Sequence, residues 1–482
     1  MSDVSESPAS SAAPQASPTS PTASSATPRV GVYAWYVFWL MCGLNFINYL
    51  DRFVFTAVSS SIKDQFHFND ARFGLFNTAF LAVYALVAFP LGFLSERFSR
   101  KIVVACGVAV WSVATLFTGR ATGFNTMFAA RAVVGVGEGS YYPSGTPILA
   151  AWFPAKRRSS ILALWGASSL VGAAVGTLFG GFFNYPDKWR DVFVICAIPG
   201  LILATLMFFL RERKRADDDP KVSEESAPKL WETIKRCWAI PTWRAILLQH
   251  ILGFFPLAVT SFWLVVYLTS TYGTDSPYGA AGLSNTLAST LGGGLLVVGG
   301  IAGGIYGGAW ANRLRHKHIG ARVRTGGLGF LWSAPFLVGA LGAPYVLNVI
   351  PAYTALEPKT QVTIGVAVFA VFGLGAAFFL NVYNGPTSAA LQDVLPPDLR
   401  AAGGGLELAL AHILGDIYAA ALVGWIADNL GNALGGQQIG LAMLITCPII
   451  LIAAGIAGIW GSKFYRADVE KLGVSAETMV GA

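Results

Sequence analysis

Four ionisable residues stand inside stretches otherwise fit for hydrocarbon: Asp51 and Arg52 in NFINYLDR, and Arg131 and Glu138 in RAVVGVGE. Charge at the centre of a bilayer costs roughly 2.5–3.5 kcal/mol even on insertion scales, so it persists where it lines a polar cavity or finds a partner. On a helix of 3.6 residues per turn Arg131 and Glu138 share one face, roughly 10 Å apart along the axis. A buried carboxylate that gains or loses a cationic partner changes its affinity for H⁺, so these residue types offer reversible proton binding. Asp51 and Glu138 are the expected proton-binding groups, with Arg131 setting their affinity. The competing reading is a static ion-pair network that fixes helix packing.

Anion binding is the second chemistry on offer. Arg52 lies about 100° round the helix from Asp51, in line with Asn45 and Asn48. This polar stripe suits an anionic head group, with Arg52 as bidentate donor to phosphate or carboxylate; otherwise Arg52 snorkels or pairs with Asp51. Tyr49, Tyr142, Asn381 and Asn384 are further candidates to contact substrate. Phe46, Phe53, Phe55, Tyr141, Phe254, Phe255, Phe262, Trp263, Phe378 and Phe379 are expected as aromatic cavity walls suited to an apolar tail, or as ordinary core. His412 and Asp416, four apart on one helical face, form with Glu407 a secondary set that reads either as a proton relay or as a satisfied structural pair. His250 has no partner evident in sequence and is read as structural.

The elements that must hold these residues are membrane helices. The chain has 482 residues, 54% hydrophobic and 12% charged, with a mean hydropathy of +0.56. Soluble domains carry about 25% charged residues, so this composition cannot cover a water-facing surface. Twelve apolar runs recur between Tyr33 and Trp460, each long enough for a hydrocarbon core of about 30 Å. With the N-terminus inside, 25 of the 33 Lys and Arg fall on the cytoplasmic side and six outside. That bias predicts an even number of spans with both termini cytoplasmic in the cell membrane, and it accounts for the net charge of +7 without nucleic acid. In this topology Arg131, Asp51 and Glu138 lie roughly 9, 13 and 20 Å below the outer ends of their helices, so Asp51 is placed to pair with Arg131 in one state and hold a proton in another. The coupling requires both acids to share a water-reachable crevice.

Residues 1–28, mostly Ser, Ala, Pro and Thr, read as a disordered cytoplasmic tail. A six-helix bundle is expected over 29–211, a cytoplasmic linker over 212–242, a second bundle over 243–462 and a cytoplasmic tail over 463–482. Gly172, Gly176 and Gly180, and again Gly300, Gly304 and Gly308, predict faces where backbones approach closely. The five cysteines lack C-x-x-C spacing and read as buried structural thiols. Neither HExxH, nor GxSxG, nor clustered His and Cys occurs, so an enzyme is not expected, and neither a metal nor a bound cofactor is implied.

Gly92-Phe-Leu-Ser-Glu96-Arg97-Phe-Ser-Arg100-Lys101, between the second and third runs, resembles the signature loop of the major facilitator superfamily, with Ser99 where Gly is usual. R-x-x-x-G-x-G at Arg131, Gly135 and Gly137 resembles a second motif of that family. The resemblance implies twelve transmembrane helices in two pseudo-symmetric six-helix bundles, an all-α membrane protein. It further implies a gate in which Glu96, Arg97, Arg100 and Arg158, with Asn312, Arg313 and Arg400 in the second half, lock the bundles together. Weak repetition agrees: Pro154 to Arg158 echoes Pro396 to Arg400, and Gly308 to Arg313 echoes Gly92 to Arg97. NYLDR, RAVVGVGEGSYYP, Asn384 to Ala401 and AHILGD (Ala411 to Asp416) are similar to the spinster-like branch, whose members include proton-linked lysophospholipid and sphingosine-phosphate transporters. A monomeric carrier of an amphipathic anion or zwitterion, driven by a proton gradient across the lipid bilayer, is what this likeness implies. The alternative is a symporter of organic anions such as sugar acids, which shares NYLDR, GVGE and WFP.

Overall fold

A computed structural model describes residues 31–153, 155–211, 230–274, 276–430 and 438–472. The tail at 1–28 and the stretches 212–229 and 473–482 of the expected linker and C-terminal tail lie outside the described residues. Among the described residues twelve long helical rods, joined by shorter helices, make up the first half, α1 (Val32–Ala57), α2 (Asp70–Arg97), α3 (Arg100–Gly119), α4 (Phe124–Gly139 continued by Tyr141–Trp152), α5 (Ala155–Phe183) and α6 (Trp189–Phe208), and the second, α7 (Pro241–Tyr272), α8 (Asn285–Arg315), α9 (Ala321–Leu347), α10 (Pro358–Asn381 continued by Asn384–Val394), α11 (Arg400–Gly415 continued by Ala419–Asn429) and α12 (Gln438–Gly461).

Among the described residues ten of the twelve are long and apolar enough by composition to cross a membrane; α1 and α4 are not among them. They are the two rods that carry Asp51, Arg52, Arg131 and Glu138. Their polar residues lower the mean hydropathy, and Ser140 divides α4. Packing compensates, with α1 set against α5 and α6 and α4 against α2 and α3.

Glycine sets these close approaches. A Cβ at Gly176 would stand 2.5 Å from Leu50 O, and Gly172 meets the Phe46 carbonyl in the same way, so α5 lies directly on the α1 backbone. In α8 the contacting stripe is one residue earlier than expected. Gly299, Gly303 and Gly307 abut Ala377, Phe378 and Val382 of α10, whereas Gly304 and Gly308 have nothing within 4 Å. Because α8 carries glycines in pairs at these positions, two stripes exist and packing selects one.

The halves close on each other at the end where α2 begins and α5 ends. Asp428 of α11 accepts from the Asp70 N–H (3.1 Å) and the Ala71 N–H (2.9 Å), capping the first turn of α2 from the opposite half. Asn285 Nδ2 donates to Asn184 O (3.0 Å). Phe55 stacks on Phe73 at 5.2 Å, and Phe73 meets Phe262 at 5.3 Å and Trp263 at 6.0 Å across the seam. Phe55, Phe262 and Trp263, read from sequence as cavity wall or as core, are buried and form a plug. At the other end Tyr141–Trp152 of α4 and Asn384–Val394 of α10 pack chiefly within their own halves, leaving Tyr142 and Asn384 exposed.

Candidate functional site

The charged site of the first half forms where α4 threads between α2 and α3. Gly135 would place a Cβ 2.5 Å from Phe80 O of α2, and Gly137 would place one 2.5 Å from Gly107 O of α3. Alternate glycines therefore bring α4 close to both neighbours and enclose Glu138, which is 1% exposed. The G-V-G-E-G run is a packing device that buries an acid.

Arg52 Nε bonds Glu138 Oε2 at 2.6 Å, with side-chain exposures of 22% and 0%. The guanidinium is also framed by the rings of Tyr49 (5.1 Å), Phe80 (4.9 Å) and Tyr84 (5.2 Å). Asp51, 2% exposed, accepts from Thr115 Oγ1 of α3 at 3.3 Å, and its Oδ1 has no hydrogen-bond partner. Arg131 lies over Phe55 (4.5 Å) and Phe80 (5.0 Å), its Nε likewise without a partner. The pair envisaged between Asp51 and Arg131 is therefore not the one formed in this conformation. A rotation of 100° per residue turns Arg52 towards the middle of α4 and Asp51 towards α3.

Both acids are sealed from solvent here, contrary to the shared crevice expected from sequence. Arg52, with its side chain 22% exposed, is the partly exposed group bound to Glu138, whose own side chain is 0% exposed.

The stripe Asn45–Asn48–Arg52 divides. Asn45 is committed to α5, donating to Trp165 O (2.9 Å) and Ser168 Oγ (3.1 Å), because the glycine contacts bring that face of α1 onto α5. Asn48 is buried with Nδ2 unpartnered. Tyr49 is half-buried, and Tyr142 is 56% exposed, stacked on Trp165 at 5.3 Å. In the second half Asn384 Nδ2 donates to Asn381 Oδ1 at 3.2 Å.

Among the gate residues, the side chains of Glu96, Arg97 and Arg158 lie outside the described residues. Arg100 is engaged at the start of α3. Asn312 and Arg313 are exposed, and Arg400 Nε donates to Leu395 O within its own half at 3.4 Å. Cys106 is exposed, unlike the other four cysteines. In the second half His412 Nδ1 meets Asp416 Oδ2 at 2.7 Å, the pairing expected from their spacing. Glu407 pairs instead with His250 at 2.7 Å. No local spacing announces that pair, because its members are 157 positions apart.

A family model described as Major Facilitator Superfamily matches residues 41–415. Protein spinster homolog 1 of Xenopus tropicalis is 26% identical over 433 residues, covering 88% of this chain and 78% of its own. The sphingosine-1-phosphate transporter SPNS2 of Danio rerio is 23% identical over 443 residues, covering 89% and 84%. Among solved structures, a bacterial homolog of the human lysosomal transporter Spinster, inward-facing and unoccupied, superposes with a TM-score of 0.68 at 20% identity, covering 92% of this chain and 98% of that one.

Proposed function

We propose, from the premise that this chain belongs to the Major Facilitator Superfamily, that it is a proton-coupled secondary transporter of an amphipathic anion or zwitterion such as a lysophospholipid or sphingolipid. The observation that carries this reading is the Arg52–Glu138 pair, a partly exposed guanidinium bound to a buried acid, beside a second buried acid, Asp51.

The pair supplies a physical link between substrate and proton. Arg52 commits Nε to Glu138 and keeps its terminal nitrogens for a phosphate or carboxylate, while Tyr49 and its neighbours hold the guanidinium in place. An anion that draws Arg52 away leaves Glu138 a buried carboxylate without its counter-ion, which takes up a proton rather than remain charged. Substrate entry thereby promotes protonation, and release of either ligand restores the pair. Asp51, bordered by Thr115 and close to α4, exchanges its proton when the halves rock and Arg131 changes partner. Tyr49, Tyr142, Asn381 and Asn384 line the path of the substrate.

Orientation follows from charge. The positive-inside bias puts both termini in the cytoplasm of a cell membrane, so the end sealed by Asp428 and the Phe73 plug faces outward and the open end faces inward. The chain acts as a monomer in this reading. A lipid-like substrate is favoured over a sugar acid by the likeness to a relative described as a sphingosine-1-phosphate transporter.

Flux of a fluorescent lysophospholipid into liposomes holding the purified protein, with and without a pH gradient, tests the proposal. Accumulation should follow the gradient, and Asp51→Asn should retain exchange but lose gradient-driven accumulation. Gradient-driven uptake of a hexonate in the absence of lysolipid flux would move the substrate to the organic anions; an unaltered pH dependence in Asp51→Asn would remove that residue from coupling.

A further inference from the structure

A second pair of buried titratable groups lies in the half that does not contain Asp51. His250 Nδ1 of α7 and Glu407 Oε1 of α11 stand 2.7 Å apart, with side chains 6% and 3% exposed. The His250 Nε2 is buried and has no hydrogen-bond partner. Phe254, one turn further along α7, stacks on the imidazole at 5.3 Å, and Tyr383 of α10 stands edge-on at 5.3 Å. Beyond Phe254, at 5.0 Å, lies the ring of His412, itself bound to Asp416. The titratable groups facing the pair are therefore Tyr383, His412 and Asp416. Among the described residues none of these acids is ion-paired with a lysine or arginine.

That environment fixes the charge states available. With a neutral imidazole donating its Nδ1–H, the pair carries the full charge of the carboxylate in an apolar interior without a counter-cation; with one further proton it is neutral. The vacant acceptor is Nε2. Protonation there creates a buried N–H with no acceptor in this conformation, so a conformation that supplies one is favoured by the proton. The means of rearrangement adjoin the pair: α10 is interrupted at Val382–Tyr383, and α11 between Gly415 and Ala419.

We propose that His250 and Glu407 form a second proton-binding site, in the half opposite Asp51 and Glu138, which takes up one proton in one conformation and returns it in the other. This rests on the reading of the chain as a proton-coupled carrier and adds a second titrating centre to it.

Five histidines occur in the chain, so ¹⁵N-histidine labelling of the full-length protein in liposomes gives a solid-state NMR spectrum simple enough to assign. His250→Gln identifies the His250 resonances; if that variant does not fold, removal of His67, His316, His318 and His412 one at a time identifies them by elimination. As the pH is raised the His250 nitrogens should pass from imidazolium to the neutral Nδ1–H tautomer. Glu407→Gln should displace that midpoint by about one pH unit or more, and Asp51→Asn should leave it in place. A His250 locked in one protonation state throughout, or a midpoint unmoved in Glu407→Gln, would overturn the proposal. The liposome flux assay reads the premise separately. A locked His250 with Asp51-dependent, gradient-driven flux sinks this site alone, and a titrating His250 with flux indifferent to pH sinks the coupling reading.

Discussion

Glu138→Gln is the perturbation that most directly tests the ion pair. Glutamine keeps the shape of the side chain but withdraws the charge from Arg52, whose Nε lies 2.6 Å from Glu138 Oε2. Removing one partner of a buried pair costs 3–5 kcal/mol where the remaining charge is fully enclosed. Arg52 is 22% exposed and retains three aromatic rings, which places the loss near the low end. About 3 kcal/mol is expected, roughly a hundredfold in the folded-to-unfolded ratio. Asp51→Asn is the contrast. Asp51 has one long bond, 3.3 Å from Thr115, so its stability loss should be about 1 kcal/mol or less. Unfolding of the purified variants in mixed micelles by detergent titration, followed by helical circular dichroism, supplies both values. The double variant Arg52→Gln/Glu138→Gln should lose less than the sum of the singles by about 2 kcal/mol. A Glu138→Gln loss below about 1 kcal/mol, with additive singles, would refute the assignment of Glu138 and Arg52 as a coupled buried pair.

Other outcomes follow from the packing. Asp428→Asn weakens the cap that α11 places on α2; because that carboxylate is exposed, the change is about 1 kcal/mol, and distances between spin labels across that end should show the open population rising about fivefold. Gly176→Val forces α5 off the Leu50 carbonyl and should cost about 2 kcal/mol or more in the same unfolding assay, with a matched loss of transport, whereas Gly304→Val, in open space, should be nearly silent. Outside the membrane, the hydrogen bond from Arg236 holds the Asp398 carboxyl below its ordinary value. A depressed pKa stabilises above the unfolded value of about pH 4 and is lost as the pH falls through the folded one. Hydrogen exchange in Leu230–Trp238, corrected for intrinsic rates, should therefore quicken only below about pH 4, and Asp398→Asn should reproduce that loosening at neutral pH.

Much of the architecture was legible because it depends on composition and period. Apolar runs of membrane length, the asymmetry of Lys and Arg and the signature loop each act locally, and the rods of the structure follow them. The exceptions are instructive. α1 and α4 fall short by hydropathy because they carry the charges, so the polar motifs within them were the better signal. In α8 the sequence offered two glycine stripes and had no means of choosing, since the choice depends on where α10 lies.

Pairing lay beyond the sequence for the same reason. Residue types alone identified Asp51, Arg52, Arg131 and Glu138 as buried charges and twelve apolar runs as their container, and the family resemblance implied the division into two halves. Which guanidinium meets which carboxylate depends on how neighbouring helices are rotated about their axes. A single residue of helix is a turn of 100°, enough to send Arg52 to Glu138 and Asp51 to Thr115. Distance along the chain hid the rest: His250 and Glu407 on two helices of the second half, and Asp428 on the first turn of α2 in the opposite half. The sequence by itself determined the inventory of buried charge and the membrane-length rods that carry it, because burial and period are properties of short stretches. Only the tertiary structure decided the partners, because a contact between helices is set by rotation and register that no single stretch encodes.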